Sequence, residues 1–422
     1  MSRRADAFDR VLWSHTAAPP PPAPPLAGDA ACDVAVIGAG ILGLSTALAL
    51  AERGVRVIVL EADAIGAGAA GRNGGLVVPS LPRVGPERAP PALAAMVAGG
   101  ADAVFALIRR HGIECDAVQA GWLFPAHAES LAPRVAARVR AWQAAGARCT
   151  WLDAAETRRR MGSLRFHGAL YDPSGGHLDP LGYTRGLARA ALAAGAVVHE
   201  ATPVLALEHT GGWRLRTPWG EVWAARVLQA TNATPPGLPG RSNVVPLFVW
   251  QMATPPLPAA ARRAVLPGNE AFSDTRNNLL ACRWTAEGRL VTGGMAALQA
   301  GAAARLPARL ARRLMAVFPA LGPVSFEYVW RGRAALTGDF LPRLVTPAPG
   351  WLAVTACNGR GIVPNTVLGP ALAAYLATGN AEALPLPLAP PRPVPFPWLT
   401  RLLPQMLLPL GDWQDRRAER PR

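Results

Sequence analysis

The chain contains no lysine, so all 43 basic residues among its 422 are arginine. That absence excludes a lysine Schiff base and a Walker-type phosphate loop, because both use the lysine amine itself. Cysteine is sparse too. Cys32, Cys115, Cys149, Cys282 and Cys357 lie far apart without a C-x-x-C spacing, and their odd number fits neither a disulfide framework nor a zinc site. A reducing, cytoplasmic setting is expected, with no metal. The first thirty residues begin with charge and run into the tract Pro19 to Pro25, so they lack the continuous apolar core of a signal peptide. Residues Val34 to Ala51 are apolar enough to imitate a transmembrane span, but Gly38, Gly40 and Gly43 divide them. A strand, a tight turn and a buried helix explain that segment better. The formal charge of +15 is spread out, and its longest basic run, Arg158 to Arg160, reads as a solvated helix face. Nucleic acid is therefore not an expected partner.

Half of the composition is hydrophobic, enough for a large core and for two domains. Cys32 to Ile37 reads as a fully buried strand, Ile41 to Arg53 as an apolar helix stopped by Gly54, and Arg56 to Leu60 as a second buried strand. Helices are predicted over Leu93 to His111 and Pro133 to Gly146, and Asp179 with Pro180 makes an N-cap pair opening another that Gly195 closes. From Pro203 to Gln229 three short strands form a meander. Further strands are expected at Pro246 to Thr254, Asn278 to Trp284, Leu290 to Gly293 and Val324 to Trp330, with a helix at Pro307 to Phe318. The last long helix, Val363 to Ala377, should be kinked by Pro370. Beyond it a proline-rich stretch leads to the apolar segment Trp398 to Leu410, read as a tail strapped onto the globule in preference to a membrane-surface anchor, since Pro404 and Pro409 spoil a continuous amphipathic helix.

Gly38-Ala39-Gly40-Ile41-Leu42-Gly43 joins the first strand to the first helix, and Glu61 with Ala62 ends the second strand. Each glycine has a task in a dinucleotide site: Gly38 for the turn, Gly40 for close approach to a pyrophosphate, and Gly43 for helix packing on the strand. Glu61 stands where a carboxylate accepts bonds from a ribose hydroxyl. This motif alone does not distinguish a nicotinamide dinucleotide from FAD.

Residues 66 to 75 read Gly-Ala-Gly-Ala-Ala-Gly-Arg-Asn-Gly-Gly, and from here the chain resembles the D-amino-acid oxidase superfamily, most closely its gamma-glutamylputrescine oxidase-like branch. Further matches follow in order: the leader from Leu12, Gly175 to Pro180, Ala230-Thr231-Asn232-Ala233, Ser273 to Arg276, Gly288 to Leu290, Trp330 to Pro342, and Asn358-Gly359-Arg360-Gly361. The resemblance implies an α/β fold: a discontinuous Rossmann-like FAD-binding domain with a β-meander, plus an antiparallel α+β substrate domain. The expected FAD-binding segments are 33–80, 175–243 and 335–384. The substrate domain takes 81–174 and 244–334, the leader 1–32, and the proline-rich tail 385–422.

The resemblance further implies that Ile41 and Leu42 turn amides to the pyrophosphate. Arg72, Asn73, Gly74 and Gly75 border the isoalloxazine, Val204 lies beside the adenine, and Ala230 lies beside the dinucleotide. Asn358, Gly359, Arg360, Gly361 and Ile362 would meet the flavin's pyrimidine end, where helix amides stabilise negative charge. Relatives that attach flavin covalently use a Cys or a His at positions held here by other residues, so FAD is expected to be noncovalent. Glycine oxidase-like relatives hold the substrate carboxylate with an arginine where this chain has Ala334, and Arg333 is one residue off. Trp250, Gln251, Arg283, Trp330, Arg333 and Cys357 are the expected substrate-face residues, with Arg283 and Arg333 candidates for a distant anionic group. His177 reads as structural in preference to a catalytic base, and no catalytic residue is assigned. The expected activity is oxidation of a carbon–nitrogen bond in an amine or amino acid by hydride transfer to flavin, with oxygen or another acceptor reoxidising it. In the sarcosine oxidase-like branch a lysine promotes the oxygen reaction, and this chain has none, so slow reoxidation by oxygen is expected. The rival readings are a flavin monooxygenase and a non-catalytic flavin-binding partner protein.

Overall fold

The computed structural model describes residues 10–81, 83–232, 244–355, 357–391 and 402–419. Ala233, the first nine residues and Trp398 lie outside them. The segment Val57–Leu60 and most of Ala30–Ile37 are apolar and buried, and they pair in parallel at the centre of a nine-stranded sheet. Gly220–Gln229 pairs in parallel with Ala30–Ile37 on one side, and Val197–His199 with Val57–Leu60 on the other. Trp351–Thr355 then adds in parallel to Gly220–Gln229, followed by Arg343–Ala348 and Leu388–Ala389. The meander strands Ala206–His209 and Trp213–Thr217 hang from Gly220–Gln229 by antiparallel pairing.

A near-continuous apolar run in such strands requires cover on both faces. One cover is the helix Ile41–Ala51, buried along its whole length, with Ile362–Thr378 crossing it. Their approach is close: a Cβ on Gly369 would sit 2.6 Å from the Cβ of Ser45. Asp179 caps the neighbouring helix Pro180–Ala193 by accepting from the Leu181 and Gly182 amides, both at 2.9 Å.

The second sheet has eight strands in the order 328–336, 245–253, 290–294, 281–284, 271–273, 122–125, 169–172 and 150–152. All its pairings are antiparallel except the joint between Ala271–Ser273 and Trp122–Pro125. The half of this sheet that ends at 150–152 packs against a core of Phe166, Phe272, Phe318 and Trp284.

Several elements differ from their sequence reading. Leu93 to His111 is two helices, Pro91–Ala98 and Gly100–Arg110, bent by 50° at Gly99. The strand read at 324–330 is Tyr328–Leu336, and the helix read from Pro307 begins at Ala302. The helix read as 363–377 runs Ile362–Thr378, with Pro370 inside it. The tail forms a helix, Leu403–Ala418, in spite of its prolines. Pro404 stands in the first turn, where a backbone N–H has no intrahelical partner anyway. Asp415 accepts from the Asn277 amide at 2.9 Å, and Arg276 and Arg309 pair with Glu419 and Asp412, both at 2.6 Å, so this helix is docked on the second sheet's loops. No single helix among the described residues is long and apolar enough to cross a membrane.

Candidate active site

The glycine turn is held by geometry that only glycine permits. Gly38 has φ +107°, and a Cβ on Gly43 would lie 2.0 Å from the Gly38 carbonyl oxygen. Gly40 begins the helix Ile41–Ala51 without a side-chain cap, leaving first-turn amides directed at the cleft beside them. Glu61 closes the turn from the side: its Oε2 accepts from the Ala39 amide at 2.8 Å and its Oε1 from the Asp63 amide at 2.9 Å. Burial pushes its carboxyl pKa up, against the opposing effect of those two amides.

The cleft that starts here has a volume of about 1530 Å³. Ordinary small-ligand pockets occupy roughly 300–1,000 Å³, so a dinucleotide and a substrate can share this one. Gly38, Gly40, Ile41, Leu42, Glu61 and Ala62 line one end together with Val204 and Ala230. Arg72, Asn73 and Gly74 line its middle, and Asn358, Gly359, Arg360, Gly361 and Ile362 line the wall formed by the second uncapped helix start. Gly43 and Gly75 stand behind the lining as packing glycines. A Cβ on Gly75, at φ +77°, would meet the Leu178 carbonyl oxygen at 2.0 Å. Two uncapped helix starts and a glycine cradle on one cleft fit the phosphates of FAD and a flavin ring that gains negative charge on reduction.

The loop 66–75 is braced internally. Arg72 Nε donates to the Ala67 carbonyl at 2.8 Å, Asn73 Nδ2 to the Ala70 carbonyl at 2.7 Å, and the Gly75 amide to Asn73 Oδ1 at 2.8 Å. It is also gripped from outside by Trp13, Trp330 and Arg283. Arg360 reaches Ser80 Oγ and the Leu81 carbonyl, each at 3.1 Å, and lies over Trp122. Burial first, then Arg138 and Arg83, push its pKa down to about 9.

Of the expected substrate-face residues, Gln251, Arg333 and Cys357 line the cleft, and three do not. Trp250 packs among Ala302, Leu306 and Leu310 and donates to Gln299 at 3.2 Å. Trp330 donates to the Arg72 carbonyl at 2.9 Å. Arg283 is 1 % exposed, and its guanidinium donates to the carbonyls of Gly74, Leu178 and Trp284 at 2.8, 2.9 and 3.1 Å. Burial lowers its pKa to about 10, which still leaves it charged at neutral pH. It serves backbone oxygens and does not line the cleft. The cleft gains instead a residue not foreseen there, Arg83, whose guanidinium donates to Asn277 and rests over Phe340.

His177 is buried away from the cleft, with Nε2 at 3.2 Å from the Asn269 carbonyl, so that nitrogen carries the proton. Burial, reinforced by Arg283, lowers its pKa from 6.5 to about 3. Between those values the unfolded chain binds a proton that the folded chain refuses, so stability is full above about pH 6.5 and is lost as pH falls. His177→Gln is expected to flatten the dependence of urea-unfolding free energy on pH between 6.5 and 4, by up to about 1.4 kcal/mol per pH unit. An unchanged slope would remove His177 from the acid response.

Residues 33–377 match the family model described as FAD dependent oxidoreductase. The chain belongs to that family. This FAD-dependent oxidoreductase is 34% identical over 365 residues to gamma-glutamylputrescine oxidoreductase of Escherichia coli, covering 83% of this chain and 84% of the relative. It is 30% identical over 388 residues to a probable oxidoreductase of Rhizobium meliloti, covering 89% and 90%. Glycine oxidase from Geobacillus kaustophilus superposes with a TM-score of 0.71 at 22% identity, over 85% of this chain and 99% of that one. L-proline dehydrogenase from P. horikoshii gives 0.72 at 19%, over 85% and 96%. At such identities the two structures bear on the fold alone.

Proposed function

We propose that this flavoenzyme oxidises the carbon–nitrogen bond of an amine whose anionic group lies several bonds from the nitrogen. One observation carries the reading: Arg72, Arg83, Arg331, Arg333 and Arg360 line the cleft, while its only lining carboxylates among the described residues, Glu61 and Asp63, sit beside the glycine turn. A second cation on the substrate with no anion beside it would meet like charge there, and a remote carboxylate would meet its complement. Ala334 lines the cleft at the position where the resemblance puts an α-carboxylate anchor, and Arg331 and Arg333, exposed and alternating with it along the strand, border the same cleft over the Phe248 ring. The E. coli relative is named for gamma-glutamylputrescine, whose carboxylate lies far from the terminal amine beside an α-ammonium that balances its charge.

The glycine turn, Glu61 and the amides at Gly361 and Ile362 would hold FAD, which when bound supplies the hydride acceptor. No lining side chain is needed as a base. The neutral amine's lone pair forms the C=N bond as the α-hydrogen leaves with its electron pair, and water then adds to the imine. Positioning is the protein's task. Attachment is read as noncovalent: Cys357 lines the cleft, but burial raises its pKa and keeps the thiol protonated. The proposed domain partition follows sheet membership, with the strands within 30–60, 197–229 and 343–389 in the cofactor sheet, 76–77 and 176–177 in a separate two-stranded sheet, and the other eight in the substrate sheet. A cytoplasmic setting accords with five free thiols. Without a lysine, and with Arg283 spent on carbonyls, the reduced enzyme is expected to favour an acceptor other than oxygen.

The test is a steady-state panel with a dye acceptor. Amines bearing a distant carboxylate are expected to exceed glycine and D-alanine in kcat/KM by roughly tenfold or more, the scale of one lost charged hydrogen bond. Preference for the simple α-amino acids overturns the reading.

A further inference from the structure

Four successive carbonyls of the loop beside the glycine turn have their partners outside the cleft. Arg72 O accepts from Trp330 Nε1 at 2.9 Å, Asn73 O from Trp13 Nε1 at 2.8 Å, and Gly74 O from Arg283 Nε at 2.8 Å. Gly75 O accepts from the Leu178 amide at 2.8 Å. Trp13, Trp330 and Arg283 also pack on one another: the two indoles meet edge to face with centroids 5.7 Å apart, and the guanidinium lies 4.5 Å from the Trp13 ring centroid. Trp13 is 1 % exposed although it comes from the short leader helix Trp13–Thr16. That helix is pinned at its other end by Thr16 Oγ1, which donates to Asp179 Oδ2 at 2.6 Å.

We propose that leader residues 11–16 are a working part of the cofactor site, with Trp13 as a positioning residue and leader docking coupled to FAD binding. This rests on the reading that residues 72–75 border the flavin. The physical reason is the direction of the carbonyls. An oxygen turned inward would present negative partial charge to a ring that becomes negative on reduction, whereas these oxygens are drawn outward and satisfied there. The Asn73 oxygen has its indole donor only while the leader is seated. With the leader displaced, the same oxygen is left either unpaired or free to turn. Each ordered segment therefore stabilises the other, and the coupling acts equally in both directions.

Trp13→Phe tests this directly, since phenylalanine keeps an aromatic ring against Trp330 and Arg283 and removes only the donor. Thr16→Val is the control: it removes a leader bond remote from the loop while Trp13 stays seated and the Asn73 bond stays in place. Titration of apoprotein with FAD is expected to show roughly tenfold or greater weakening for Trp13→Phe, and a change within about threefold for Thr16→Val. In wild type, hydrogen exchange at residues 11–17 is expected to slow when FAD binds, and Trp13→Phe should abolish that slowing. Wild-type affinity in Trp13→Phe, equal weakening in both variants, or leader exchange indifferent to FAD would each overturn the coupling. Exchange at 72–75 reads the underlying assignment separately. Protection there without protection at 11–17 sinks the coupling alone, and no protection at either removes the loop from the cofactor site and the proposal with it.

Discussion

Arg283→Ala is expected to destabilise the folded chain by about 3 kcal/mol or more, and to do so before any effect on substrate affinity is measured. The guanidinium satisfies three buried carbonyls, those of Gly74, Leu178 and Trp284. Removing it leaves those oxygens without a donor, at roughly 1–3 kcal/mol for each that stays dry. It also empties the volume of a large side chain and withdraws the cation from the Trp13 face. Chemical denaturation of wild type and variant checks the loss. Arg283→Lys should recover little, because an ammonium cannot span three carbonyls in the guanidinium's planar fork. A variant that unfolds like wild type while substrate KM rises would return Arg283 to the substrate face.

Glu61→Arg should weaken FAD binding by roughly 100-fold or more while the sheet still folds. The carboxylate accepts the Ala39 and Asp63 amides and so fixes the shape of the glycine turn. Arginine removes both acceptors and places charge against the ribose position. Glu61→Gln keeps one acceptor oxygen and a neutral side chain, and a loss of roughly tenfold is expected. Titration of apoprotein, with circular dichroism as the check on folding, distinguishes the outcomes. Equal FAD affinity in wild type and Glu61→Arg removes this residue from the site.

What could be read from residues alone was the local part of the design. The strand, glycine turn and helix at 33–51 and the Asp179 cap each depend on neighbours within a few dozen positions, and each forms as expected, whereas the bonds of Glu61 to the Ala39 and Asp63 amides were not foreseen. The misplaced residues are those whose partners lie far along the chain. Arg283 stands in the apolar run Leu280 to Trp284, and alternation along a strand does not say what an inward-facing charge will meet. It meets a loop nearly devoid of side chains, where the glycines leave carbonyls for others to satisfy. Trp13 is separated from its partner by 60 positions, and the only signal of its role was a large aromatic in an otherwise short leader. Arg83 was missed for a related reason: its place at the cleft depends on Asn277, 194 positions away.

The order of strands in the cofactor sheet has a consequence for biosynthesis. Ala30–Ile37 pairs with Gly220–Gln229, which in turn pairs with Trp351–Thr355, so the sheet is closed by residues from opposite ends of the chain. A nascent polypeptide carrying the glycine turn has no second uncapped helix start to offer until Gly361 has emerged from the ribosome. Loading with FAD is therefore a late event, and until then the long apolar helix Ile41–Ala51 lacks the helix that crosses it. Assembly waits on contacts of wide sequence separation, the regime in which folding is slow and exposed apolar surface invites aggregation. A lower growth temperature during expression is accordingly expected to raise the yield of folded protein.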